Sequence, residues 1–205
     1  MTARTLASLP LFPLGTVLFP GGVLPLRVFE PRYLDMVGRC HRANAPFGVV
    51  ALAAGSEVRV AGAPPERLES VGTLAHIVRV RQPQPGLLWI ECRGGERFRM
   101  EPPTRLAHGL WVADATVLAP DGAVAVPDDL APAVQALQRV LQDARARTAS
   151  AALPPREAER WDDCGWVANR WCELLPLPRA RKQQQLGVDS PLLRLELVAD
   201  WLQAS

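Results

Sequence analysis

The apolar residues of this chain change their repeat once, and that change limits the folds open to it. Up to about residue 118 they alternate with polar residues in short runs, the two-residue period of half-buried strands. Residues 119–127 carry Pro120, Asp121-Gly122 and Pro127, a composition that punctuates regular structure. Beyond them, apolar residues recur three or four apart, the period of helices. A run of strands followed by a run of helices reads as α+β, with residues 1–118 as one subdomain, 119–127 as a linker and 128–205 as a second, helical subdomain.

In the first part, Phe98 and Met100 alternate with Arg97 and Arg99 as on a half-buried strand. Leu88–Cys92 forms a second run, and Arg93-Gly94-Gly95 between them reads as the tight turn of a β-hairpin. Further strands are expected at Leu9–Phe12, Val23–Val28, Phe47–Ala53, Val71–Val80 and Leu110–Leu118. Seven short strands with proline-rich joints suit a small barrel or a sandwich. One short helix interrupts them at Glu30–Val37, with Pro31 in its first turn and Tyr33, Leu34 and Val37 on one side.

The second part reads as a helical bundle. Leu130, Val134, Leu137 and Leu141 mark one helix, with Asp128 or Asp129 as its N-cap. Trp161, Cys164, Val167, Trp171, Leu174 and Leu175 trace a second stripe. A third helix fits Arg179–Leu186, ending at Gly187, and a fourth starts at the cap Ser190-Pro191 and runs through Leu193, Leu197 and Trp201. Trp161 and Trp171 lie on the apolar stripe and belong to the core, whereas Trp166 falls off it, one turn before Arg170, and is a candidate contact residue.

Absent motifs exclude much chemistry. No G-x-x-x-x-G-K-[ST] run exists to cradle phosphates, and no G-x-G-x-x-G follows a strand. None of Ser8, Ser56, Ser70, Ser150, Ser190 or Ser205 sits in a G-x-S-x-G elbow, and Lys182 is the only lysine that a Ser–Lys dyad would have. His41, His76 and His108 are scattered singly, and Cys40, Cys92, Cys164 and Cys172 form no C-x-x-C pair. The expectation is a chain that is not an enzyme, with no catalytic residues, no cofactor and no metal, and with reduced, buried thiols. The 23 basic and 21 acidic residues nearly cancel, which is too balanced to announce a nucleic-acid binder. No apolar stretch approaches the ~20 residues of a membrane span, and prolines break the start of the chain before a signal-peptide core forms. A cytoplasmic protein without a membrane is expected.

The N-terminal run Leu9-Pro-Leu-Phe-Pro-Leu-Gly-Thr-Val-Leu-Phe-Pro-Gly-Gly-Val-Leu-Pro-Leu-Arg-Val-Phe-Glu-Pro-Arg-Tyr33 resembles the opening of the Lon protease N-terminal, substrate-binding domain. The resemblance continues through Phe47–Val50, Val71–Ile77 and Gly95–Arg99 to the helical tail with Arg181–Leu186, so it covers nearly the whole chain. It implies a PUA-like β-barrel followed by an α-helical subdomain, and a role in recognising substrate polypeptides without the ATPase and protease that lie downstream in full-length Lon proteases.

On this reading the chain is a stand-alone polypeptide-binding module, with an adaptor role in protein quality control as one use. The partner is an unfolded or partner polypeptide held in a groove between barrel and helices by apolar contacts and edge-strand hydrogen bonds. In the Glu30-Pro31-Arg32-Tyr33 group, a helix start and a packed tyrosine account for the residues structurally, with Arg27 and Glu30 placed to pair. The functional reading puts Arg32 and Tyr33 on an exposed helix edge as polypeptide contacts, with Trp166 as the third candidate. The alternative is RNA binding through Arg79, Arg81, Arg93, Arg97, Arg99 and Arg105, with Trp89 stacking on a base. A solvated strand face carrying Arg97 and Arg99 accounts for the same residues more simply.

Overall fold

The computed structural model describes residues 4–55, 66–147 and 155–203. Ser56, Ser150 and Ser205 lie outside them. Among the described residues, seven strands run as β1 (Thr5–Leu14), β2 (Val23–Val28), β3 (Phe47–Ala54), β4 (Arg67–Gln84), β5 (Leu87–Met100), β6 (Thr104–Arg105) and β7 (Trp111–Val117). Helix α1 (Pro31–Ala43) stands between β2 and β3, and α2 (Ala131–Arg147), α3 (Cys164–Leu174), α4 (Arg179–Gly187) and α5 (Pro191–Gln203) follow the strands. The sheet order is β2-β5-β4-β3-β1-β7-β6, and β5 pairs with β7 as well, through Phe98–Met100. The order therefore returns from β7 to β5. Only β1 and β3 are parallel among the paired strands.

The expected hairpin at Arg93-Gly94-Gly95 is not formed. Strand β5 runs straight through the glycines, and the turn of the β4–β5 hairpin is at Pro85-Gly86, where Gly86 has φ +77°. Between Thr73↔Arg97 and Ala75↔Gly94, three steps of β5 oppose two of β4, so the glycines sit at a bulge. Their small size serves close approach: a Cβ on Gly94 would stand 2.2 Å from the Phe19 carbonyl oxygen. The strap 19–22 lies against this point, with Gly21 N–H donating to Gly94 O at 2.8 Å and Gly94 N–H donating to Gly22 O at 2.9 Å.

Three clusters make up the core. Leu9, Leu11, Val50, Leu74 and Phe98, carried by the strands, form the first. Helix α1 closes one side, packing Tyr33, Met36, Val37 and Cys40 on Phe12, Phe47 and Ile90. Each large apolar side chain buried there contributes about 1.5–3 kcal/mol. In the third cluster Val17, Phe19, Ala51 and Val71 are packed with Leu137, Val167, Trp171, Leu195 and Val198. The helical half thus shares its core with the strands and their strap.

Residues 119–127 are bonded on both sides. Cys164 N–H donates to Val124 O at 2.8 Å and Val126 N–H to Asp162 O at 3.1 Å. Asp121 bridges Arg97 of β5 to the fully buried Arg194 of α5. Arg97 also donates to Leu186 O at 2.9 Å and Val188 O at 3.1 Å and is only 5% exposed. Arg97 therefore does not lie on a solvated face, because the α4–α5 connection covers that part of β5; Arg99, two residues on, is exposed.

Helix starts follow the expected chemistry in part. Ser190 caps α5, with Leu193 N–H donating to its Oγ at 3.3 Å. Asp128 and Asp129 lie instead in a 3-10 turn, Asp128–Leu130, that leads into α2, and Asp163 caps α3 through the Trp166 N–H at 2.7 Å. On α5 the buried face carries Arg194, Leu195, Val198 and Ala199, while Leu193 is exposed.

Candidate functional site

Between strands and helices lies a cleft of about 270 Å³ that is largely a clamp. Arg170, 1% exposed, donates to the Pro20 carbonyl at 2.7 Å and to Glu173 at 2.9 Å, while Lys182 donates to the Glu173 backbone oxygen at 3.1 Å. Burial pushes the Glu173 carboxyl up to about 7, against the downward pull of Arg170 and Lys182. The same burial lowers Arg170 and Lys182. A Cβ on Gly22 would meet the Glu173 Oε1 at 2.0 Å, so the charged group packs directly on the strap.

A larger and more apolar groove, about 390 Å³, lies between α1 and the segment joining β6 to β7. Its helix side is Met36, Cys40 and Ala43, and Ala45-Pro46 continue it into β3. Pro10 and Val112 form the floor, and Leu106 and Leu110 the opposite wall. Arg39 is the charged residue at its rim and pairs with Asp35 at 2.8 Å. Leu106 keeps 38% of its surface exposed, so an apolar wall faces solvent.

Local sequence explains how this wall is held. Pro31 opens α1 at its first position, where a missing N–H costs nothing. The helix runs past the expected Val37 to Ala43, because Cys40 extends the face begun by Tyr33, Met36 and Val37. Asn44 stops it with φ 47°, and Ala45 N–H donates to Cys40 O at 2.9 Å. Opposite, the Leu106–Leu110 turn closes through Leu106 N–H to Leu110 O and Gly109 N–H to Leu106 O, both at 2.8 Å, with Gly109 at φ +89°.

Arg32 and Tyr33 belong to the frame of this groove. They do not stand on an exposed helix edge: Arg32 is 9% and Tyr33 4% exposed. Arg32 Nη1 donates to Gly109 O at 2.8 Å, pinning the 106–110 turn to α1, and Glu30 holds the same guanidinium at 2.9 Å. Glu30 therefore pairs with Arg32 rather than with Arg27. The Tyr33 ring stacks on Phe12 at 4.1 Å and 9° and lies beneath the Arg32 guanidinium, 4.6 Å from its centroid. Burial pushes the Tyr33 hydroxyl up to about 12. Sequence reasoning missed Leu106, Leu110 and Pro46, which carry no motif; the apolar Leu106 and Leu110 either side of Ala107-His108-Gly109 were the signal available.

Trp166 is elsewhere. It lies half-buried on α3, with its ring edge-on to Trp161 at 4.8 Å and the Arg170 guanidinium 5.9 Å from its centroid. The structure unites Arg32 with Tyr33 and leaves Trp166 in another core cluster.

Burial raises all four cysteine thiols, Cys40 and Cys164 in direction and Cys92 and Cys172 to about 12, so they stay protonated. No cluster of three or more His, Cys, Asp or Glu residues is placed to hold a metal among the described residues. No helix there is long and apolar enough to cross a membrane. Arg97 is buried and bonded, so it cannot join Arg99 and Trp89 in an RNA-reading face.

The fold is α+β, with an apolar groove pinned between α1 and the 106–110 turn. The model of the ATP-dependent protease La (LON) substrate-binding domain matches residues 8–204, and the chain belongs to that family. A Lon N-terminal domain protein from Xanthomonas campestris is 32% identical, with a TM-score of 0.74 over 96% of this chain and 99% of that one. The N-terminal domain of the Mycobacterium avium complex Lon protease shares the fold at 19% identity, with a TM-score of 0.58 and 97% of each chain covered. No curated protein sequence matches the chain.

Proposed function

We propose that this domain is a non-catalytic polypeptide-recognition module whose groove between α1 and the 106–110 turn takes apolar side chains of an unfolded or partner polypeptide. The carrying observation is that groove, apolar, open to solvent and held by Arg32, in a member of the Lon substrate-binding domain family. Arg32 and Tyr33 serve the polypeptide by holding the wall, and Trp166 is the contact retained on the helical layer. The returning sheet is read as a PUA-like barrel and the helices as its companion subdomain, divided at residues 119–127. Membership of the family supports an adaptor role in cytoplasmic protein quality control.

The test is fluorescence anisotropy with a labelled, unfolded, apolar-rich polypeptide. Leu106→Glu, which places a charge on the exposed wall, is expected to weaken binding about tenfold or more with the melting temperature little changed. Because the contacts are apolar, binding by the native protein should persist at high salt. Unchanged affinity in the variant would move the site elsewhere, and no binding at high micromolar concentration by folded protein would end the proposal.

A further inference from the structure

On the outer face of β2, β5 and β4, Trp89 is 49% exposed. Register places Arg27 of β2 directly opposite it on one side and Arg81 of β4 on the other. Directly opposite residues share a face with their Cβ atoms about 5 Å apart, so the three form one row across the sheet. In the next row Pro25, Glu91 and Arg79 are aligned in the same way, and Arg79 meets Glu91 at 3.6 Å. Arg27 and Arg81 are both exposed, and neither has an ion-pair partner among the described residues. Two uncompensated guanidiniums thus flank an open indole.

We propose that this face is a docking site for an acidic segment of a bound polypeptide, with Trp89 taking an apolar side chain and Arg27 and Arg81 taking carboxylates. Indole and guanidinium groups dominate the binding energy at protein interfaces, and guanidinium matches carboxylate in a two-bonded fork. The occupant is a polypeptide because β2 is the edge of the sheet, with no strand partner beyond it among the described residues. Its free main-chain N–H and C=O groups alternate along the edge at the repeat of another peptide strand and complement one. A second copy of this face is excluded by charge, since both would present unpaired arginines. The inference rests on the polypeptide-recognition reading and names the chemistry of one partner segment.

The experiment uses three labelled peptides of one length on the full chain: alternating Glu and Leu, the same with Lys for Glu, and the same with Gln for Glu. A single-stranded RNA oligonucleotide is the fourth probe. The Glu peptide is expected to bind about tenfold tighter than the Gln peptide at low salt and the Lys peptide more weakly than either. Arg27→Glu/Arg81→Glu should abolish that preference while leaving Gln-peptide binding and the circular dichroism spectrum unchanged. Trp89→Ala should weaken the Glu peptide and spare the charge ranking. Equal affinities for the Glu and Gln peptides, a preference that survives the charge reversal, or RNA binding lost on the same reversal would overturn the inference and leave the apolar groove standing. Absence of binding to every peptide would overturn both readings.

Discussion

Glu173 illustrates how a single side chain couples charge to packing. It sits against Gly22 of the strap, faces Arg170 and Lys182, and keeps 25% of its side chain open to solvent. Burial raises it from 4.5 to about 7, so between those values the folded chain holds a proton that the unfolded chain has lost. Folded protein then binds more protons than unfolded, and stability falls as pH rises through that window. Glu173→Gln removes the titration and should flatten the fall, read as the shift in urea midpoint between about pH 5 and about pH 8. Parallel shifts in both proteins would show that Glu173 does not titrate there.

At the scale of elements, two glycines in and beside β5 do different work. Gly86 turns the β4–β5 hairpin at φ +77° and has no heavy atom within 4 Å of where a Cβ would stand. Gly94 gives its space to the Phe19 backbone. Gly86→Ala should therefore cost only the left-handed backbone strain, about 1–2 kcal/mol. Gly94→Ala must displace the strap that joins sheet to helices and should cost distinctly more. Thermal melts of the two variants order them directly, and equal losses would contradict the close-approach role of Gly94.

For the whole molecule, the interface between strands and helices is the decisive feature. Phe19, Ala51 and Val71 share a cluster with Leu137, Val167 and Leu195, and Arg97 ties β5 to the α4–α5 connection. Removing the helices would expose those apolar groups and strand a buried guanidinium, so the halves are expected to unfold together. Four of the six tryptophans, Trp161, Trp166, Trp171 and Trp201, lie in the helical half, so fluorescence reports mainly on it. Its urea transition should coincide with the far-ultraviolet dichroism of the whole chain; two separated transitions would mean that each half stands alone.

The sequence by itself determined the α+β order, the place of the period change, most strand and helix positions and the family. Those follow from local periodicity, turn residues and a long contiguous motif, all carried by near neighbours in the chain. Only the tertiary structure decided that Gly94-Gly95 lies inside a strand, that Arg97 is buried and that Arg32 pins a turn 77 residues away. Each depends on what a distant segment places beside the residue: the strap, the α4–α5 connection or the 106–110 turn. Alternation says which residues share a face, but burial depends on what covers that face, and a groove is made of side chains that meet only after folding.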